Sequence, residues 1–444
     1  MYRVSVTEKS NKMPIKSQPI SHHKLDDTAN SVVLRRMSKV RPVWSAVRPA
    51  GEALGLTDLT LLHAGPPLAD PRHLSPPLLS SAVMCCLYEG WAGDEAEAEW
   101  LITSGQVVLR PAQEYDVVIP LAAVVSSQTT LVEIVDLNDD ASTSTRRAYS
   151  LLASGSGPQL RFGNRDPRII QQMVWRDGPL ADCLSALLAV APVPLLPLVT
   201  LGLAGGDDMH ARTTAANTAL CTQLLPMIKT KTWLGPKQEQ ERIAAMLADS
   251  PQFFLTIWMA ACHLMLLSAA DGGRDHDSTI VITLAGNGES LGIRLAGKPG
   301  EWFTVPAHAP DGPRISPTLQ AKALPIIGDS GVIDVAGFGG QALEGASEIV
   351  TALGTWLPND WRERPSVIRA GHHHPIFSRL GLGAGVDAAA VAANSKAPLI
   401  LIAMIDAAGE KGLLGHGLFI PPVDLFMCAV ASVHHEKKCE TVPP

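Results

Sequence analysis

At 444 residues the chain exceeds what one hydrophobic core ordinarily serves, so two or three domains are expected. Hydrophobic residues at 46% and charged residues at 18% place it with globular rather than disordered chains. A net charge of −7, scattered Lys and Arg and only 5% aromatic residues argue against a nucleic-acid footprint or a base-stacking surface.

Residues 1–36 are polar and Lys/Ser-rich without an apolar h-region, which predicts a solvated, disordered tail rather than a secretory signal. Residues 41–67 alternate short strand-like pieces with turns and end in L-T-L-L-H-A-G-P-P, as a strand hands over to a loop at a sheet edge. Residues 78–91 are apolar almost throughout. The acidic run 94–99 then suits the first turn of a new helix, where the backbone dipole favours negative charge. Residues 107–109, 117–125 and 130–135 are β-branched runs of strand length.

From Asp166 to Ala270 the apolar residues recur at three- and four-residue spacing, which predicts a largely helical segment. Two uncharged stretches within it are long enough to invite comparison with a membrane span. Residues 183–206 are broken by Pro192, Pro194 and Pro197 and read as helix, Pro-rich turn, helix. Residues 253–270, with Cys262 and His263 near the centre, read as a buried core helix. Strand signatures return in S-T-I-V-I-T-L-A, L-G-I-R-L-A and W-F-T-V-P-A, and continue to residues 398–405 and 417–422. The expected organisation is α/β (α+β mixed), with two α/β domains flanking a mostly helical middle domain: tail 1–36, domains 37–165, 166–275 and 276–444. Seven cysteines (Cys85, Cys86, Cys183, Cys221, Cys262, Cys428 and Cys439) lack CxxC spacing and sit mostly in apolar runs, which fits reduced buried thiols and a cytoplasmic setting.

The densest polar constellation is G-G-D-D-M-H-A-R-T-T-A-A-N, residues 205–217. A helix starting near Asp207 would use Asp207 and Asp208 as caps and bring His210 and Asn217 near one face. His210 would then handle protons and Arg212 would pair an anion by its fork; the plainer reading is a capped helix with a salt-bridged Arg212. In A-G-N-G-E-S-L-G-I-R, Asn287 fits the turn of a hairpin, whereas Arg294 in an apolar strand needs a buried partner or an anionic ligand. In I-G-D-S-G-V-I-D-V-A-G-F-G-G-Q-A, Asp329 and Ser330 imitate a serine-protease nucleophile loop only by chance, there being no suitable flanking His and Asp. Gly337, Gly339 and Gly340 lead toward a predicted helix and read equally as an anion cradle of backbone N–H groups or as simple turns. His63 ends a strand against a loop, where site residues often lie. His372, His373 and His374 are adjacent on a polar loop, a poor geometry for one metal ion, and no HExxH or zinc spacing occurs.

The strings L-L-H-A-G-P-P-L, L-Y-E-G-W-A-G-D-E-A-E-A-E, L-R-F-G-N, D-D-M-H-A-R, F-F-L-T-I-W-M-A-A, N-G-E-S-L-G-I-R, W-F-T-V-P-A and I-G-D-S, in this order over residues 29–426, resemble the YlbE/YahG-like family. One branch of that family is the G-type subunit of oxamate carbamoyltransferase. The resemblance implies transfer of a carbamoyl group between oxalurate and phosphate in allantoin breakdown, yielding oxamate and carbamoyl phosphate. It implies an FdrA-like subunit and a further small subunit as partners, leaves a homo-oligomer open, and requires no metal or redox cofactor. Such chemistry needs an anion site and donors for a developing oxyanion. Within this chain it points to His210, His63 and Asp329 as catalytic candidates. Arg212, Arg294, Asn287, Ser330, Gly337, Gly339 and Gly340 are the candidates for holding a small anionic substrate. The chain departs from the family pattern at residues 112–116, 153–155, 211–213 and 403–407. A non-catalytic structural or regulatory subunit on the same scaffold, or an amide-processing enzyme with another substrate, therefore stands as the alternative.

Overall fold

The computed structural model describes residues 28–138, 146–230, 235–270, 275–318, 320–372 and 374–435. Helix and strand are mixed throughout, as the α/β pattern predicts. A five-stranded sheet runs in the order Val117–Val118, Arg147–Leu151, Thr130–Asp136, Pro42–Pro49, Val193–Pro194. Pro42–Pro49 pairs antiparallel with Thr130–Asp136 through a bulge between Trp44 and Ala46, and the prolines fall at the strand ends, where a missing N–H costs least. Beside it a small sheet joins Thr60–His63 in parallel to Val108–Pro111 and antiparallel to Val124–Val125. The apolar run 117–125 thus divides into two short strands around a loop at 119–123. The acidic run begins a helix, Glu95–Thr103, whose Asp94 side chain accepts from the Glu97 N–H at 2.8 Å while Glu97 reaches back to the Gly93 N–H at 2.7 Å.

The helix Phe253–Ala269 carries no charged residue and is buried almost all round. It crosses the five-stranded sheet on one side and meets a second, four-stranded sheet on the other. That sheet runs Lys298–Pro306, Ser290–Leu295, Val281–Asn287, Ile327–Gly328, and the turn at Gly288 is the predicted hairpin. The short helix Gly331–Ala336 packs between Val281–Asn287 and Phe253–Ala269. Trp258, Phe338 and Phe377 form an edge-to-face chain, with centroids 5.0 and 5.5 Å apart, joining this region to the C-terminal segment. A hairpin, Ile400–Ile405 with Leu413–Phe419, follows. The last described helix, Val423–His435, packs on Ala388–Asn394 and on the four-stranded sheet.

Three local expectations differ from the structure. Residues 29–36 belong to the helix Ala29–Met37, which buries Val33, Leu34 and Met37 and ties Arg36 to the Ala269 carbonyl and to Asp275. The helix expected to start near Asp207 starts at Thr214, because residues 207–213 wind around the Asp208 carboxylate. The helix expected directly after Gly340 is delayed to Ser347–Leu353 by two 3-10 turns. The Pro-rich stretch does form helix, turn, helix (Ala181–Val190, Val193–Pro194, Leu195–Ala204), and its turn adds an edge strand to the first sheet. Among the described residues no single helix is long and apolar enough to cross a membrane. Cys85, Cys86, Cys183, Cys221 and Cys262 are free and buried, and Cys428 is free and exposed.

Candidate active site

The loop 205–213 joins two helices and is shaped by one carboxylate. Asp208 accepts from the N–H groups of His210, Ala211 and Arg212 at 3.0, 2.9 and 2.8 Å. Met209 adopts a left-handed conformation with φ 74° to permit that wrap. The result turns the His210 ring inward, where Nδ1 lies 2.7 Å from Asp334 Oδ2. Asp334 is fully buried, and its other oxygen accepts from the Gly340 N–H at 2.8 Å and the Leu401 N–H at 3.2 Å. With Nδ1 engaged, Nε2 is the ring nitrogen left to exchange a proton. Burial works against a charged His210 ring, but Asp334, with Asp208 behind it, outweighs burial and raises the pKa above the ordinary value. Burial pushes Asp208 up to about 6, against the pull of the amides it caps and of His210.

His210 lines a cavity of about 90 Å³. Its walls come from distant parts of the chain: Leu121 and Arg161, then Gln252, then Ser330 and His416. The space is that of several water molecules and suits a small organic ligand. Arg161 forms no ion pair among the described residues, and its Nε is buried without a hydrogen-bond partner. Burial alone lowers its pKa to about 10, which leaves it charged at neutral pH. The guanidinium is half-buried and lies 5.0 Å over the Phe162 ring, and an anion in the cavity would complete its partners. His416 is pushed down by burial and by the charges of Arg161 and His210, so it offers a neutral ring. Gln252 donates its amide to the Ala211 carbonyl, while its Oε1 has no partner. The cavity therefore combines an anion acceptor with a carboxylate-oriented imidazole, the elements of general acid–base work on a small anion.

The other candidate residues occupy different places. Ser330 is buried at the cavity wall, next in sequence to Asp329. Asp329 turns away from it, accepting from Gly65 N–H, Gln113 Nε2 and Ile119 N–H at 3.0, 2.7 and 2.8 Å. Burial raises Asp329 to about 6, and its grip on Ile119 fixes the loop that presents Leu121. Arg294 donates to Gln113 Oε1, Thr283 Oγ1 and the Pro299 carbonyl and stacks on Trp302 at 5.0 Å. His63 is buried with Nδ1 2.8 Å from the Ala64 carbonyl, and burial lowers its pKa to about 4. Asn287 clamps the hairpin turn, accepting from the N–H groups of Glu289 and Ser290 and donating to the Pro66 carbonyl. Arg212 pairs with Asp207 and, at 3.1 Å, with Glu348. The Gly337 N–H bonds to the Asp334 carbonyl, that of Gly339 to the Asp208 carbonyl and that of Gly340 to the Asp334 side chain, so these amides brace the dyad. His374 caps the Ile376 N–H at 3.3 Å, and the side chains of His372 and His373 lie outside the described residues.

Arg161, Asp334 and His416 escaped the sequence reading. A signal for Asp334 existed: a lone acid within the otherwise apolar run 331–336 requires a buried partner, the argument applied above to Arg294. Arg161 sat in plain view within L-R-F-G-N, which served only as a family marker.

A family model, oxamate carbamoyltransferase subunit AllG, matches residues 107–330. The oxamate carbamoyltransferase subunit AllG of Escherichia coli K12 is 28% identical over 421 residues, covering 91% of this chain and 97% of that protein. The uncharacterised protein YahG of the same strain is 30% identical over 414 residues, covering 90% of this chain and 84% of that one. A solved structure, a conserved protein of unknown function from Enterococcus faecalis V583, superposes with a TM-score of 0.81 at 26% identity. The match covers 91% of this chain and 96% of the other.

Proposed function

Because the chain belongs to the family of AllG and YahG, we propose that it is a subunit of a carbamoyltransferase complex acting on oxalurate or oxamate and phosphate. The observation that carries this reading is the His210–Asp334 pair set beside Arg161, a half-buried arginine with a buried, unpartnered Nε and no ion pair among the described residues, around one small cavity. Arg161 holds the substrate carboxylate as a fork holds a planar anion. As a phosphate oxygen attacks the carbamoyl carbon of oxalurate, the C–N bond breaks and the departing oxamate nitrogen takes a proton from His210 Nε2. Asp334 holds the imidazole in orientation and stabilises its charged form. In the reverse direction His210 accepts that proton from oxamate as its nitrogen attacks carbamoyl phosphate. Gln252 Oε1, an acceptor without a partner, suits the amide N–H of oxamate. The remaining subunits, including an FdrA-like one, complete the phosphate side.

The test is formation of carbamoyl phosphate from oxalurate and phosphate by the chain alone and by the chain reconstituted with the subunits encoded beside it. Arg161→Ala and His210→Gln are each expected to lower kcat/KM at least about 100-fold with the circular dichroism unchanged. No activity in any combination, alongside an active AllG complex, rules out the catalytic reading in favour of a structural subunit. Full activity in both variants removes the cavity from the mechanism.

A further inference from the structure

A second, larger cavity of about 310 Å³ borders the segment that braces Asp334, at Gly337 and Gln341. Its size is that of pockets that take small organic ligands. Leu343, Ile368 and Leu382 give it apolar walls, and Arg362 and Arg369 add cationic groups to its lining. Among the described residues neither arginine forms an ion pair; Arg362 lies 4.2 Å over the neighbouring Trp361 ring, which also lines the cavity. Gln341 donates to the Leu399 carbonyl at 2.9 Å, which fixes its amide, and leaves Oε1 buried with no partner. Arg362, Arg369 and Glu344 are exposed, Asp207 (paired with Arg212) is a second carboxylate in the lining, and the two acids disfavour a dianion such as a phosphate monoester.

We infer that this cavity binds a small organic monocarboxylate with an apolar body and a hydrogen-bond donor. The carboxylate meets Arg362 and Arg369, the body lies between the leucine walls, and the donor satisfies Gln341 Oε1. The site is separate from the cavity at His210, but Gln341 directly follows Gly340, whose N–H holds Asp334. An occupant therefore steadies the backbone that positions the dyad.

Calorimetric titration of the intact chain with 4-hydroxybenzoate tests this. Saturable binding is expected, weakened at least tenfold in the Arg362→Ala/Arg369→Ala double variant and retained in Arg161→Ala. Benzoate, which lacks the donor, is expected to bind more weakly than 4-hydroxybenzoate to the wild type and equally to Gln341→Ala. Absence of binding at millimolar 4-hydroxybenzoate overturns the inference. So does undiminished binding in the double arginine variant, or a loss of binding in Arg161→Ala that assigns the ligand to the other cavity.

Discussion

Arg161 is where stability and function pull apart most clearly. A half-buried guanidinium with an unsatisfied Nε costs the fold something, which its contact with the Phe162 ring at 5.0 Å offsets in part and an anionic ligand would offset further. Arg161→Met is therefore expected to keep or raise the thermal midpoint by a few degrees while binding of oxamate is lost. A fall in midpoint together with intact binding would reverse that assignment. His210 makes a prediction in pH. Its pKa in the folded protein is raised above 6.5, so its pairing with Asp334 contributes stability that is fully present below about pH 6.5 and is lost as pH rises through the raised value. His210→Gln is expected to lose that acidic-side stabilisation, giving a flatter profile of thermal midpoint against pH over this range. Chain order explains which residues the sequence could disclose. His210 and Ser330 drew notice because their own neighbourhoods are polar. Asp334 did not, because its partner His210 lies 124 positions away and the intervening chain says nothing of that pairing. Arg294 and Arg161 look alike in sequence, each a cation among apolar residues. Only the fold shows that Arg294 has neutral acceptors around it and that Arg161 borders a cavity.

At the scale of elements, the segment 337–341 does the most precise positioning. A Cβ on Gly340 would sit 2.0 Å from the Leu399 carbonyl oxygen, with backbone on both sides of the clash. Gly340→Ala is expected to cost about 1–3 kcal/mol in urea denaturation and to release the constraint on Asp334. Gly345→Ala, where a Cβ meets nothing within 4 Å, serves as the control and should stay within about 0.5 kcal/mol of the parent. The glycines were visible as an anion cradle or as turns, yet the Gly340 amide serves the Asp334 carboxylate and those of Gly337 and Gly339 serve backbone carbonyls, an arrangement that sequence spacing does not distinguish from a ligand site. Elements with strong local signals were legible. The capping box at Asp94 and Glu97, the hairpin around Gly288 and the uncharged helix Phe253–Ala269 each follow from short-range chemistry. Residues 207–213 were misread because Asp208 can cap loop amides as well as helical ones, and the choice was settled by where His210 had to go.

For the whole molecule, one apolar cluster runs from Trp44 through Trp258 to Phe426 and so includes residues of every section of the chain. A single cooperative transition is expected, with near-UV and far-UV circular dichroism reporting one midpoint. Trp258→Ala should lower the stability read by both probes by about 3–5 kcal/mol, whereas Trp258→Phe should cost far less, since the indole N–H it removes has no partner. Separate midpoints would show that the sections unfold independently. The same architecture bears on synthesis. The first sheet gains its edge strand only at Val193–Pro194, and the helix that covers it begins 59 positions after Pro194, at Phe253. At about 5–20 residues per second, a nascent chain emerging from the ribosome leaves the part of that sheet that Phe253–Ala269 packs on uncovered for several seconds, although Ala181–Val190 already packs on Pro42–Pro49. Production of this protein should therefore respond to holdase chaperones and to slowed translation upstream of residue 253, with aggregation set by the pace of elongation as well as by the stability of the finished fold.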